Sequence, residues 1–317
     1  MPELPEVTTT VKALNKVLPG LFVLDVWTDL AKKDQKIKQF KNTLKDKKFF
    51  NKFRRDIKGT KVKNVERRAK YILIHLSNKK TILIHLKMTG HLLFGKYEFN
   101  KKENKWVPNE KERKELRDPY NRFIHVVFTL AKSKQKKVSY KNLVFCDARK
   151  FGKVTMIPTT KLYDKDSTLQ VLGPEPLDNK FTFKQFKKRL LIKNSGKIKT
   201  LLMNQEIISG IGNIYSDEML WIAGIHPESQ PANIPDSTLK SLYKEMKEIL
   251  KKGISSGGDS TSDYRHIDGK KGSFHLSHKV YKRKGKKCSK RGCSGVIIRK
   301  VINGRSAHFC KIHQKLF

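Results

Sequence analysis

Acidic residues are scarce in this 317-residue chain: 29 Asp and Glu stand against 70 Lys and Arg, a formal net charge of +41. No run of about 18 apolar residues occurs, so no membrane-spanning helix is expected. The first residues lack the basic, apolar and small-residue order of a secretory signal, and no organelle-targeting segment is evident. An intracellular protein is expected, in a bacterial cytoplasm or an equivalent compartment. There are only four cysteines, and Cys288, Cys293 and Cys310 fall in the last 30 residues, whereas Cys146 sits alone in an apolar run. That distribution argues against a disulfide framework and for a metal. No repeat of solenoid type is present.

What is abundant is positive charge. A surface this basic attracts a polyanion, with nucleic acid the first candidate and an anionic membrane the second. Abundant Lys, Asn and Ile also fit compositional drift, which explains part of the excess. Like charge of this size disfavours self-association, so a monomer is expected.

The chain divides by periodicity. Val7, Val11, Leu14 and Leu18 recur at helical spacing up to a stop at Pro19-Gly20. From Leu21 to Pro158 short β-rich runs follow (LFVLDVW, KYILIHL, TILIHLKM, RFIHVVFTLA, NLVFCDA, KVTMI), predicting a β-sandwich or barrel of roughly seven or eight strands. The polar stretches 95–122 and 132–137 read as surface insertions. Beyond LGPEPLD the period turns helical in FTFKQFKKRLLIK, GKIKTLLMN, NIYSDEMLWIAG and DSTLKSLYKEMKEILKK. The Gly/Ser-rich segment 255–274 reads as a mobile loop.

Two constellations carry chemistry. In MPELPEV, removal of Met1 exposes the secondary amine of Pro2 beside Glu3 and Glu6. An α-amino group titrates about two units below a lysine and forms an iminium with a sugar aldehyde more readily. Glu3 is placed to shuttle protons. The same residues also suit plain helix initiation. At the other end, Cys288-x4-Cys293-x16-Cys310-x2-His313 presents two close pairs separated by a hairpin's length, the spacing of one structural zinc site. His308 competes for the fourth position; the spacing favours His313.

MPELPEV and the signatures that follow it in order resemble the formamidopyrimidine-DNA glycosylase and endonuclease VIII family, in its bacterial formamidopyrimidine type, over nearly the whole chain. The resemblance implies an α+β multidomain fold. Residues 1–160 would form a catalytic β-sandwich domain with an N-terminal helix, 161–280 a helix–two-turn–helix domain with a lesion-capping loop at 255–274, and 281–317 a β-hairpin zinc finger. In ERRAKYILIHL it implies a catalytic Lys70. In HLKMTGHL, Met88 would fill the gap left by an extruded nucleotide. In DARKFG, Arg149 would meet the orphaned base and Phe151 would wedge between base pairs, as base extrusion requires.

In KIKTLLMNQEIISGIGNIYSDEMLW the family places a Gly-rich turn before a helix whose start offers free N–H groups to a phosphate. Lys199 and Asn213 would hold phosphates there, and Glu218 would be a partly buried carboxylate facing the active site, with Glu6 nearby. Arg305 matches the family's finger-tip arginine. The tail departs from the family's usual four-cysteine pattern, with a longer first knuckle and histidine as the last ligand.

The implied function is a bifunctional DNA glycosylase and AP lyase acting on damaged duplex DNA through a Pro2 Schiff base and β,δ-elimination, with no small-molecule cofactor and no membrane partner. SSGGDSTSDYRHIDGKKGSF resembles the loop of the family's purine branch, which implies 8-oxoguanine and formamidopyrimidines as substrates. Ser262, where that pattern has arginine, keeps an oxidised-pyrimidine specificity open. A damaged-DNA binder without turnover is the alternative of another class.

Overall fold

Helix α1 (Leu4–Val17) buries Val7, Val11 and Leu14 on one face, the outcome that their spacing dictates. The computed structural model describes residues 1–31, 41–133, 139–165, 167–192 and 196–317. Within these the chain clusters into two units. The first comprises Met1–Pro2, Glu6–Gln170 and Gly257–Gly272, and the second Glu3–Pro5, Val171–Ser256 and Ser273–Phe317. This grouping differs from the three segments read from the sequence: the cysteine-bearing tail clusters with the helices, and the Gly/Ser-rich loop with the strands. None of the described helices is long and apolar enough to cross a membrane.

In the first unit, β1 (Phe22–Thr28) is followed by α2 (Lys47–Ile57), then by β2 (Val62–Arg68), β3 (Tyr71–Leu76), β4 (Lys80–His85), β5 (His91–Gly95), β6 (Tyr97–Asn100), β7 (Lys105–Pro108), β8 (Ile124–Ala131), β9 (Tyr140–Cys146) and β10 (Lys153–Pro158). Two four-stranded antiparallel sheets form, in the orders β1-β8-β9-β5 and β10-β4-β3-β2. Their facing residues share one core with α1, as a sandwich requires. Helix α2 was not expected in a region read as strands. Its signal is Asp46, which caps the Phe49 amide at 3.1 Å, followed by Phe53 and Ile57 buried at i, i+4 spacing.

The first sheet is apolar on both faces. Leu92, Val126, Phe128, Leu143 and Phe145 point into the sandwich, while Leu93, Val127, Val144 and Cys146 alternate with them and point the other way. The second face is covered by Tyr97 and Leu116, with Trp27 and Trp106 packed against them. The 95–122 segment lies at the surface, with most of its side chains exposed or half-buried, but it is not mere insertion. It forms the β6–β7 hairpin and two 3-10 turns that close a small core of their own. Of the 132–137 stretch, 134–137 lie outside the described residues.

The second unit contains α3 (Phe183–Leu190), α4 (Ile198–Met203), α5 (Asn213–Ile222) and α6 (Asp236–Ser255), then the hairpin of β11 (Ile297–Ile302) and β12 (Arg305–Cys310). Helix α3 opens with a capping box between Thr182 and Gln185. Helix α5 is buried from Ile214 through Trp221 and is the central element. Its last turn joins the hairpin through a cluster of Trp221, Val280 and Ile297 with Cys288 and Cys310, which explains why the tail is not a separate unit.

Candidate active site and nucleic-acid contacts

In the first unit Pro2 is buried under an exposed Met1. Lys70 follows Ala69 in the β2–β3 turn and is 4% exposed. The turn is tight because Ala69 has φ +51°, and Arg67 donates to its carbonyl at 2.9 Å. Burial, then the charges of Lys87, Lys70 and Lys153, push the His85 imidazole down to about 3. His85 is thus neutral, and its Nδ1 accepts the Lys87 amide at 3.0 Å at the start of the Met88 loop.

Met88 and Phe151 are 37% and 49% exposed. Their loops are stitched together by Asp147, which is buried. Its carboxylate accepts the Thr89 hydroxyl, the Gly152 amide at 2.6 Å and the Arg149 amide at 3.3 Å. The Arg149 amide also donates to the Thr89 hydroxyl oxygen at 3.1 Å, and its guanidinium lies 4.5 Å from the Phe151 ring centroid. Met88, Arg149 and Phe151 are therefore presented as a set. Sequence reasoning missed Thr89 and Asp147, although Asp147 opens the DARKFG signature. The Lys45 ammonium donates to the Lys150 carbonyl. Burial and then the charge of Lys153 lower the Lys87 pKa; burial also lowers that of Lys45, opposed by Asp147 and reinforced by Lys153. Such crowding of ammonium groups suits an anion.

The 257–272 loop belongs to the same unit and is tied down, contrary to its composition. The Glu6 carboxylate accepts the Asp259 amide at 2.8 Å, and the Glu6 carbonyl accepts the Tyr264 hydroxyl at 3.0 Å. Glu6 thereby acts as an anchor for this loop.

In the second unit Glu3 is 1% exposed and caps α5. Its carboxylate accepts the amides of Ile214 at 2.9 Å and Tyr215 at 3.5 Å, while the Leu4 amide donates to the Gly210 carbonyl at 3.0 Å. The expectation of free N–H groups at this helix start is thus corrected for those two amides. Gly212, the residue before the helix, has no side chain to cap with, and a Cβ there would stand 2.4 Å from the Glu3 carboxyl carbon. Glycine leaves the room that Glu3 fills.

Glu218 is 0% exposed rather than partly buried, and its oxygens accept the amides of Lys279, Val280 and Tyr281 at 2.8–3.0 Å. It fastens the 279–281 segment, where the chain turns into the cysteine tail. Lys199 is 1% exposed, with its ammonium 2.5 Å from Asp217, and the other Asp217 oxygen accepts both the amide and Nδ1 of His308 at 3.0 Å. Lys199 faces Asp217, not solvent, in this conformation. The Asn213 amide donates to Ser306 at 3.2 Å, next to the exposed Arg305. Arg305 stands just after Asn303-Gly304, whose φ values of +46° and +73° make the two-residue turn.

The sulfurs of Cys288, Cys293 and Cys310 lie within 4.8 Å of one another, and Cys293 and Cys310 are 3.7 Å apart. Bonds of roughly 2.3 Å at tetrahedral angles separate two thiolates by about that distance, so the cluster fits a zinc ion. The Trp221 indole N–H donates to Cys288 Sγ at 3.3 Å, an outer contact of the kind that orients a ligand. His313 is not gathered into the cluster. Its Nε2 lies 2.7 Å from the Trp221 carbonyl, which leaves Nδ1 as the nitrogen with a lone pair. The Nδ1 of His308 is committed to Asp217.

Comparison with known proteins gives a consistent result. The formamidopyrimidine-DNA glycosylase N-terminal domain matches residues 1–154, and the formamidopyrimidine-DNA glycosylase H2TH domain matches 172–265. The formamidopyrimidine-DNA glycosylase of Pelotomaculum thermopropionicum is 34% identical over 318 residues, covering 100% of both chains, and that of Bacillus subtilis is 32% identical, covering 98% of both. Among solved structures, the Lactococcus lactis Fpg in complex with DNA containing an abasic site superposes with a TM-score of 0.78 at 28% identity, covering 99% of both chains. The same protein in complex with Fapy-dG DNA gives 0.77.

Proposed function

Because the chain belongs to the formamidopyrimidine-DNA glycosylase family, we propose that it excises oxidised purines, 8-oxoguanine and formamidopyrimidines, from duplex DNA and then nicks the strand at the resulting site. The observation that carries this reading is the chain start, where Pro2 precedes a glutamate held by two backbone amides of α5. With Met1 removed, the Pro2 nitrogen bonds to C1′ of the sugar as the glycosidic bond breaks and the base departs with the electron pair. Opening of the ring and loss of the nitrogen's proton give an iminium. Removal of a C2′ proton then expels the 3′ phosphate, and a second elimination expels the 5′ phosphate.

Glu3 carries protons to and from the opened sugar, and its fixed position makes that possible without reorganisation. Lys70 positions the phosphate near the reacting sugar. Met88, Arg149 and Phe151 occupy the gap left by the everted nucleotide, while Asn213 and Arg305 grip flanking phosphates. Lys199, which the family resemblance makes a phosphate contact, would first have to leave the Asp217 carboxylate. Cys288, Cys293 and Cys310 would hold one zinc ion, with Nδ1 of His313 the candidate for the fourth position once that side chain is drawn in; four protein ligands would leave the ion a structural role in the tail.

Ser262 supports a second reading, preference for oxidised pyrimidines. A denaturing gel of duplexes bearing 8-oxoguanine opposite cytosine, a formamidopyrimidine or an oxidised pyrimidine decides between them. Cleavage of the first two, leaving phosphate at both new ends, is the expected result. Cleavage of the third alone would transfer the protein to the pyrimidine class, and binding with no cleavage of any duplex would refute the enzymatic reading.

A further inference from the structure

The 109–122 segment and the 257–272 loop meet through an ion pair between a buried arginine and a half-buried aspartate. Arg265 is 1% exposed, and its Nε and Nη2 donate to the two oxygens of Asp118, each at 3.1 Å. Nη1 donates to the carbonyls of Ser262 at 2.7 Å and Tyr264 at 2.9 Å, and the guanidinium carbon lies 4.8 Å from the Tyr120 ring centroid. One face and most edges of the guanidinium are thus used, and its hydrogen bonds fix the loop's own backbone against Asp118. Asp118 is itself held, because the Tyr120 amide donates to its Oδ1 at 2.9 Å. Burial acts to raise its pKa, but the hydrogen bonds from Arg265 and the Tyr120 amide prevail and lower it.

Further contacts run in parallel. The Phe94 amide donates to the Ile267 carbonyl at 2.7 Å, and Arg113 pairs with Asp268 at 3.2 Å. Gly269 has φ +85° and approaches so closely that a Cβ would stand 2.4 Å from the Glu115 carbonyl oxygen. The bracket itself is packed on Leu116, Tyr97 and the edge-on rings of Trp27, Phe99 and Trp106.

We propose that the 95–122 segment is a bracket for the 257–272 loop, with the bidentate Arg265–Asp118 pair as the positioning contact that sets the loop's shape before DNA binds. The proposal rests on the reading that this loop covers the everted base. A loop already held in its working shape loses less conformational freedom when substrate arrives. The planar fork is what the geometry uses, so lysine is not an equivalent. Only the step that needs a base to be covered depends on the contact; cutting at a preformed abasic site does not.

The test uses the full chain with Asp118→Asn and, should that variant fail to fold, Arg265→Lys, which keeps the charge. Hydrogen exchange of the wild type and variant is read at 257–272, with strands 71–85 as the internal reference. Excision of 8-oxoguanine and cleavage of abasic DNA are measured beside it. The expected result is faster exchange confined to the loop, roughly tenfold lower kcat/KM for base excision carried mainly by KM, and unchanged cleavage of abasic DNA. Unchanged exchange in the loop would overturn the proposal, as would equal loss on both substrates. Should the wild type excise no base at all, the function proposed above fails, while the exchange result still judges the bracket.

Discussion

The 95–122 segment and the pair of loops at 87–90 and 147–152 reverse what their composition suggests. The first is dense in Lys, Glu and Asn yet closes a core around Tyr97 and Leu116, whereas the second exposes Met88 and Phe151. Burial in the polar segment comes from a few apolar residues spaced so that they cover the outer face of a sheet. Exposure of Met88 and Phe151 comes with a polar joint, Asp147 with Thr89, that holds the backbone of both loops in place. Single exposed apolar side chains are common, so what points to a partner is that one hydrogen-bonded joint presents Met88 and Phe151 together with Arg149.

The largest effect is expected at Leu116. Replacing this 1% exposed side chain by alanine leaves a cavity beneath the polar segment, and the expected loss is about 2–5 kcal/mol in denaturant unfolding. A loss below about 0.5 kcal/mol would show that the segment is the surface decoration its composition implied. Phe151→Ala should do the opposite: stability within about 0.5 kcal/mol of the wild type, and excision slowed by roughly tenfold or more, at least about 1.4 kcal/mol of barrier. Equal stability with undiminished excision would remove Phe151 from the DNA contact.

A smaller effect sharpens the comparison through pH. The folded His85 pKa, about 3, is below the ordinary 6.5, so protonation favours the unfolded chain. Its contribution is fully present above pH 6.5 and declines as pH falls toward 3, where a protonated Nδ1 no longer accepts the Lys87 amide. His85→Asn should flatten the acid limb of stability over that window. An unchanged limb would show that His85 is not the group responsible.

Much of this organisation is legible in the sequence because it is local. The alternation of β8 and β9, the i, i+4 spacing of α1 and the cysteine spacing each depend on neighbours a few residues away. What escaped depends on distant partners. The α5 amides of Ile214 and Tyr215 are occupied by Glu3, 211 and 212 residues earlier, so a helix start that looked open to phosphate is partly filled. Glu218 reads as a partly buried active-site carboxylate and Lys199 as a phosphate contact, but three amides of the 279–281 segment and the Asp217 carboxylate draw them fully inside. The Gly/Ser-rich loop looked mobile because nothing in its composition names Asp118. The family resemblance nominates the residues; their arrangement sets which are exposed, which are anchors and which are paired.

The central claim is that the amine of Pro2 becomes bonded to the sugar, and borohydride trapping tests it directly. The Met1-processed protein is incubated with a duplex containing 8-oxoguanine opposite cytosine, reduced, and digested for mass spectrometry. The account predicts a covalent adduct mapping to Pro2 and its loss in Pro2→Gly. An adduct on a lysine, or none from a protein that binds the duplex and has lost Met1, would contradict it.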